Sequence, residues 1–169
     1  MATKDGLRTN NMSVKLKKRT LNVKESYCNW LHTFGFTHFV TLTTPYELTL
    51  NSSRRLAERF HAKLKEQKFE PIIFFVAEKF EVKDGFHLHL LMKINKPKLE
   101  KHEYTFICEL YQRVAGTAKV GLVKGEIKYL TWSRIDLQKY KKTKGAGYYV
   151  TKYVLKENSN KFAEYDLLV

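Results

Sequence analysis

In the run FHLHLLM, Phe86 to Met92, two histidines stand two positions apart among apolar residues. In an extended strand, residues two apart point to the same face, so the imidazoles of His87 and His89 project together. Such a pair is either a satisfied structural feature or two nitrogen ligands aimed at one point. The preceding run, PIIFFVAEKF, reaches it through Lys83-Asp84-Gly85, a sequence suited to a hairpin turn. A two-residue loop there sets Glu78 opposite His89 or Leu91, in either case on the face of both histidines. One carboxylate and two imidazoles form a facial set for a divalent cation, with positions left for a substrate oxygen and water. Mg²⁺ and Mn²⁺ both suit that set, and nitrogen ligands favour Mn²⁺. The plainer role for Glu78 is a surface carboxylate paired with Lys79 or Lys93 across the hairpin.

A second chemical constellation lies in GAGYYVTKYVLK, where Tyr149, Lys152, Tyr153 and Lys156 recur as Y-x-x-K-Y-x-x-K. On a helix these four side chains fall within an arc of roughly 100°. Tyr148, Val150, Thr151, Val154 and Leu155 take the opposite face. An ordinary amphipathic helix with solvated lysines has the same pattern. The chemical alternative is more pointed. A free phenol, with a pKa near ~10, is a poor nucleophile at neutral pH, and a neighbouring ammonium favours its phenolate. A phenolate facing a phosphate polarised by a divalent cation yields a covalent phosphotyrosine without a nucleotide cofactor.

The elements that must position these groups follow from periodicity. A helix from Leu21 carries Val23, Tyr27, Trp30, Leu31 and Phe34 on one stripe, with Gly35 as its C-cap. Phe36 to Thr44 reads as a strand stopped by Pro45. Asn51-Ser52-Ser53 offers N-cap chemistry for a helix bearing Leu56, Phe60 and Leu64. The hairpin follows, then a helix from Leu99 to about Val114, one or two strands between Val120 and Leu137, and a last helix from Ala146 to Glu157. Interleaved helices and hairpin strands predict an α+β fold: a central antiparallel β-sheet with helices packed on it, of ferredoxin-like kind. Residues 1–20 are expected to be a basic flexible arm, and residues 21–169 a single domain.

A formal charge of +14 on 169 residues is large, and points to a polyanion such as nucleic acid as partner. A lysine-rich surface on a soluble protein is the bland explanation. Lys139, Lys141, Lys142 and Lys144 form a basic loop suited to a DNA backbone, and the arm either joins them or has no role. Cys28 and Cys108 are too few and too far apart for a disulfide framework or a metal motif, which fits a reduced intracellular setting. No apolar run approaches the ~20 residues needed to span a bilayer, and no signal-peptide pattern opens the chain.

Taken together, the motifs resemble those of the HUH endonucleases, in particular rolling-circle replication initiators. FVTLTTP is similar to their first motif. FHLHLL is similar to the histidine-hydrophobic-histidine motif, with Glu78 spaced like the third ligand of some viral initiators. YVTKYVLK resembles the paired-tyrosine motif of gene A-type phage initiators. The resemblance runs from about Phe39 to Lys156. It implies an HUH fold, His87, His89 and Glu78 as ligands of Mg²⁺ or Mn²⁺, Tyr149 and Tyr153 as nucleophiles, and Lys152 as helper; Lys156 repeats the spacing and is expected to serve Tyr153. The implied activity is site-specific nicking and rejoining of single-stranded or hairpin origin DNA, for a phage or plasmid in a prokaryotic cytoplasm. No GxxxxGK[ST] segment appears, so either a host helicase unwinds the DNA or the substrate is already single-stranded, and a host polymerase is expected to extend the released end. A tyrosine transposase or a relaxase of the same superfamily is the near alternative. A non-catalytic nucleic-acid-binding domain, stacking bases on Phe39, Phe74, Phe75 and Phe86, is the distant one.

Overall fold

Alternation of apolar and polar side chains builds the first strand, HFVTLT, whose residues are buried and half-buried in turn. The computed structural model describes residues 22–96, 98–123, 126–141, 145 and 164–169. Helix α1 covers residues 22–33. It is followed by β1 (His38–Thr43), α2 (Leu50–Glu66), β2 (Ile72–Lys79), β3 (Phe86–Lys93) and α3 (Lys101–Ala115). Then come β4 (Thr117–Val123), β5 (Glu126–Trp132), β6 (Arg134–Lys139) and β7 (Tyr165–Leu168). Five strands form an antiparallel sheet in the order β6-β1-β3-β2-β7, and β4 pairs with β5 in a separate hairpin. The path β1-α2-β2-β3-α3-β6 with this strand order is the split β-α-β arrangement of ferredoxin-like folds. The expected α+β architecture, an antiparallel sheet with helices packed on it, is what the chain adopts.

The period of two separates the faces of the sheet. Val40, Leu42, Ile73, Phe75, Ala77, Leu88, Leu90 and Met92 pack with Leu56, Phe60 and Leu64 of α2 and Ile107 and Tyr111 of α3. On the other face Phe74, Val76 and Leu91 are covered by Leu31 of α1 and by Phe36. Among the described residues, that second cluster covers only part of its face. Glu78, His87 and His89 continue it toward the β2–β3 turn.

Several expectations change in detail. The β2–β3 turn is longer than two residues: Lys79 pairs with Phe86, which sets Glu78 opposite His87 rather than His89 or Leu91. Phe80 N–H donates to Gly85 O at 3.1 Å, closing a loop whose Gly85 adopts φ +91° against Glu47 and Leu48. The cap of α2 is Thr49, in a reciprocal box with Ser52, so the helix starts at Leu50 ahead of Asn51-Ser52-Ser53. The stretch expected to hold one or two strands holds β4, β5 and β6, and β7 adds an edge strand beside β2. The basic arm, residues 1–20, and the helix expected over 146–157 lie outside the described residues.

Candidate metal centre

Adjacent antiparallel strands bring the candidate ligands together through ordinary sheet geometry. Glu78 stands opposite His87, and Val76 opposite His89, one step further along the same face. His89 Nε2 lies 2.9 Å from Glu78 Oε2 and 2.8 Å from His87 Nε2. His87 Nε2 lies 3.3 Å from the same carboxylate oxygen. Three donor atoms in cis positions of an octahedron, each ~2.1 Å from a central cation, stand about 3 Å apart. The observed triangle therefore has the dimensions of three facial ligands, and Glu78, His87 and His89 form a possible metal-binding triad.

Protonation favours the same role. Burial pushes the His89 pKa down to about 4; the neighbouring His87 adds to this, and Glu78 opposes it. Burial also lowers His87; Glu78 again opposes the shift and Lys83 reinforces it. Both imidazoles are therefore neutral near pH 7, the state in which a ring nitrogen offers a lone pair to a cation.

Neighbouring side chains hold the rings in place. Thr41 of β1 pairs with His89 across the sheet, with its hydroxyl 3.2 Å from Nδ1. Phe39 stacks on His89 with centroids 5.7 Å apart and planes at 11°. Phe80 stacks on His87 at 4.6 Å. Sequence reasoning passed over Thr41 and Phe80 as parts of the site. Phe80 was within reach of it, since it lies two positions after Glu78. The Thr41 contact depends on the β1–β3 register, which no local pattern encodes.

No protein-family model matches the chain, and neither the curated proteins nor the solved structures contain a match. The geometry and the motifs carry the functional argument. No helix among the described residues is long and apolar enough to cross a membrane.

The remaining candidate residues separate into two groups. Lys139 ends β6 opposite His38, about 10 Å along the strand from the level of His89. It lines a cavity of about 300 Å³ with His38, Lys98, Leu99, Tyr104 and Leu137, away from the triad. Lys141 follows, exposed to solvent. Lys142, Lys144, Tyr149, Lys152, Tyr153 and Lys156 lie outside the described residues. Of the aromatic residues considered as base-stacking platforms, Phe74 and Phe75 are buried on opposite faces of the sheet. Neither offers a ring to a base.

Proposed function

We propose that the protein is a metal-dependent, tyrosine-using endonuclease that nicks and rejoins single-stranded DNA, of HUH type. One observation carries this reading: Glu78, His87 and His89 present three donor atoms at facial-ligand spacing on one face of the sheet. The tyrosine-lysine repeat of Tyr149, Lys152, Tyr153 and Lys156 supports it from sequence.

A divalent cation held by the triad would draw charge from a non-bridging oxygen of the scissile phosphate; Mn²⁺ suits two imidazoles better than Mg²⁺. The phenolate of Tyr149 or Tyr153 attacks phosphorus, its proton having passed to solvent, while the bond from phosphorus to the 3′ oxygen breaks. That oxygen takes up a proton to become a 3′-hydroxyl, and the 5′-phosphate stays on tyrosine. Lys152 and Lys156 favour the phenolate and balance charge on the phosphorane-like transition state. The +14 charge draws the polyanionic substrate, with Lys139 and Lys141 exposed to receive its backbone. The released hydroxyl primes a host polymerase, which makes the protein a rolling-circle initiator for a phage or plasmid. The doubled tyrosine motif favours that role over a transposase or relaxase.

The test is to incubate the protein with Mn²⁺ and circular or hairpin-bearing single strands, then to separate the products on a denaturing gel. A DNA-linked protein band that requires Mn²⁺ and disappears in His89→Ala is expected. Tight DNA binding with no adduct on any such substrate sinks the reading in favour of a binding domain.

A further inference from the structure

The turn between the two ligand-bearing strands carries a lysine that the reaction above leaves without a role. Phe80 shares the face of Glu78, and its ring stacks on His87 with centroids 4.6 Å apart and planes at 30°. Lys83 Nζ rests over the other ring of this contact, 4.1 Å from the Phe80 centroid. Phe80 thus touches both the His87 imidazole of the triad and the Lys83 ammonium. Lys83 is exposed. Among the described residues no carboxylate comes within ion-pair distance of it, although Glu81 and Asp84 flank it in sequence. An aromatic face holds an ammonium without neutralising it, so the charge stays available to an incoming oxygen.

The turn is braced as well. A Cβ on Gly85 would stand 2.7 Å from Glu47 Cγ and 3.3 Å from Leu48 N, so the turn backbone lies directly against the segment leading into α2. A lysine on a supported turn beside a cation site is placed for an anion that has one oxygen at the triad and a second turned outward. A backbone phosphodiester is such an anion.

Building on the function proposed above, we propose that Lys83 binds a non-bridging oxygen of the DNA phosphate docked at the triad, and that Phe80 is the positioning residue for both Lys83 and His87. Titration calorimetry with Mn²⁺ alone, and fluorescence anisotropy with a short labelled single strand of mixed sequence, test it on the full chain. In the wild type, Mn²⁺ should raise affinity for the strand. Lys83→Ala should bind Mn²⁺ normally yet lose about tenfold of that metal-dependent gain, and Lys83→Arg should restore most of it. Lys139→Ala, distant from the triad, should weaken strand binding equally with and without Mn²⁺. Phe80→Leu should lower Mn²⁺ affinity along with the gain. A strand affinity indifferent to Mn²⁺, or a gain that Lys83→Ala leaves whole, overturns the inference while leaving the metal site standing. No Mn²⁺ binding by the wild type fells the proposed function and the inference together.

Discussion

Thr41 and His89 face each other across β1 and β3, and the threonine hydroxyl lies 3.2 Å from His89 Nδ1. Were Nε2 to give its lone pair to a cation beside Glu78 and His87, Nδ1 would carry the proton and donate it to Thr41 Oγ1. His87 has no equivalent among the described residues: its Nδ1 is buried with no hydrogen-bond partner among them, and the Phe80 ring stacks on His87 instead. The two histidines are thus unequally held, and His89 is the better oriented candidate ligand. Thr41→Val keeps the shape and removes the acceptor, so Mn²⁺ affinity should fall about ten- to a hundredfold. Calorimetry reads this directly. Unchanged affinity would mean that Phe39 packing alone orients the ring.

Metal binding should also register as stability. A ligand at about a hundred times its Kd adds about 2.7 kcal/mol to a protein that binds it only when folded, or roughly 5–10 °C in a chain of this size. The wild-type melting temperature should rise accordingly with Mn²⁺. Glu78→Gln and His89→Ala should each remove the rise. A variant that keeps it takes that residue out of the ligand set.

Two glycines with positive φ should respond differently to alanine. Gly35, at φ +66°, has open space where a Cβ would stand, so Gly35→Ala bears only the backbone cost, about 1 kcal/mol. Gly85, at φ +91°, meets Glu47 and Leu48 as well. Gly85→Ala should therefore cost about 2 kcal/mol or more by urea denaturation. Because its turn carries Phe80, the same variant should weaken Mn²⁺ binding, whereas Gly35→Ala should not. Equal costs at the two sites would show that the turn yields freely.

Acid sensitivity should come partly from histidines remote from the triad. Burial lowers the pKa of His38, and burial with a smaller contribution from Lys65 lowers His61, against an opposing hydrogen bond to Pro71 O. Both fall below the ordinary 6.5. Between the folded and unfolded values the unfolded chain binds more protons, so stability is lost as pH falls through the unfolded value toward the folded one. Denaturation midpoints should drop from about pH 7.5 to about pH 5. His61→Gln keeps a donor for Pro71 O and removes the titration, so its slope with pH should be shallower. An identical slope would assign the loss elsewhere.

Parity was legible in this chain where register was not. Any even-numbered loop between β2 and β3 leaves Glu78 on the face of His87 and His89, so the triad was readable although its pairing was misjudged. The stripe of Leu56, Phe60 and Leu64 likewise announced the buried side of α2. What escaped depends on distant partners. β7 is four residues long, too short for a periodic signal, and is tied down by Arg54 of α2 through Glu164 and Asp166. Thr41 became a neighbour of His89 only through a pairing that spans α2 and β2 in sequence.

The pair Tyr149 and Tyr153 calls for a reason to have two phenols. One helical turn separates them in a helix, roughly 6 Å along the axis, so small adjustments would bring either to one phosphate. A single nucleophile cuts once and is then blocked by the 5′ end it carries. In the proposed cycle, one tyrosine would hold that end while the other attacked the regenerated origin, and the freed 3′-hydroxyl would close the circle by displacing the first tyrosine. Tyr149→Phe and Tyr153→Phe should each retain some single-turnover nicking, while the double variant should form no adduct. Tyr148, about 100° from Tyr149 in the helix expected from the sequence, should be dispensable for attachment. Mass spectrometry of the adduct peptide in each single variant distinguishes this from a lone nucleophile with a packing neighbour. An adduct that never forms on Tyr153, even when Tyr149 is Phe, eliminates the two-nucleophile cycle.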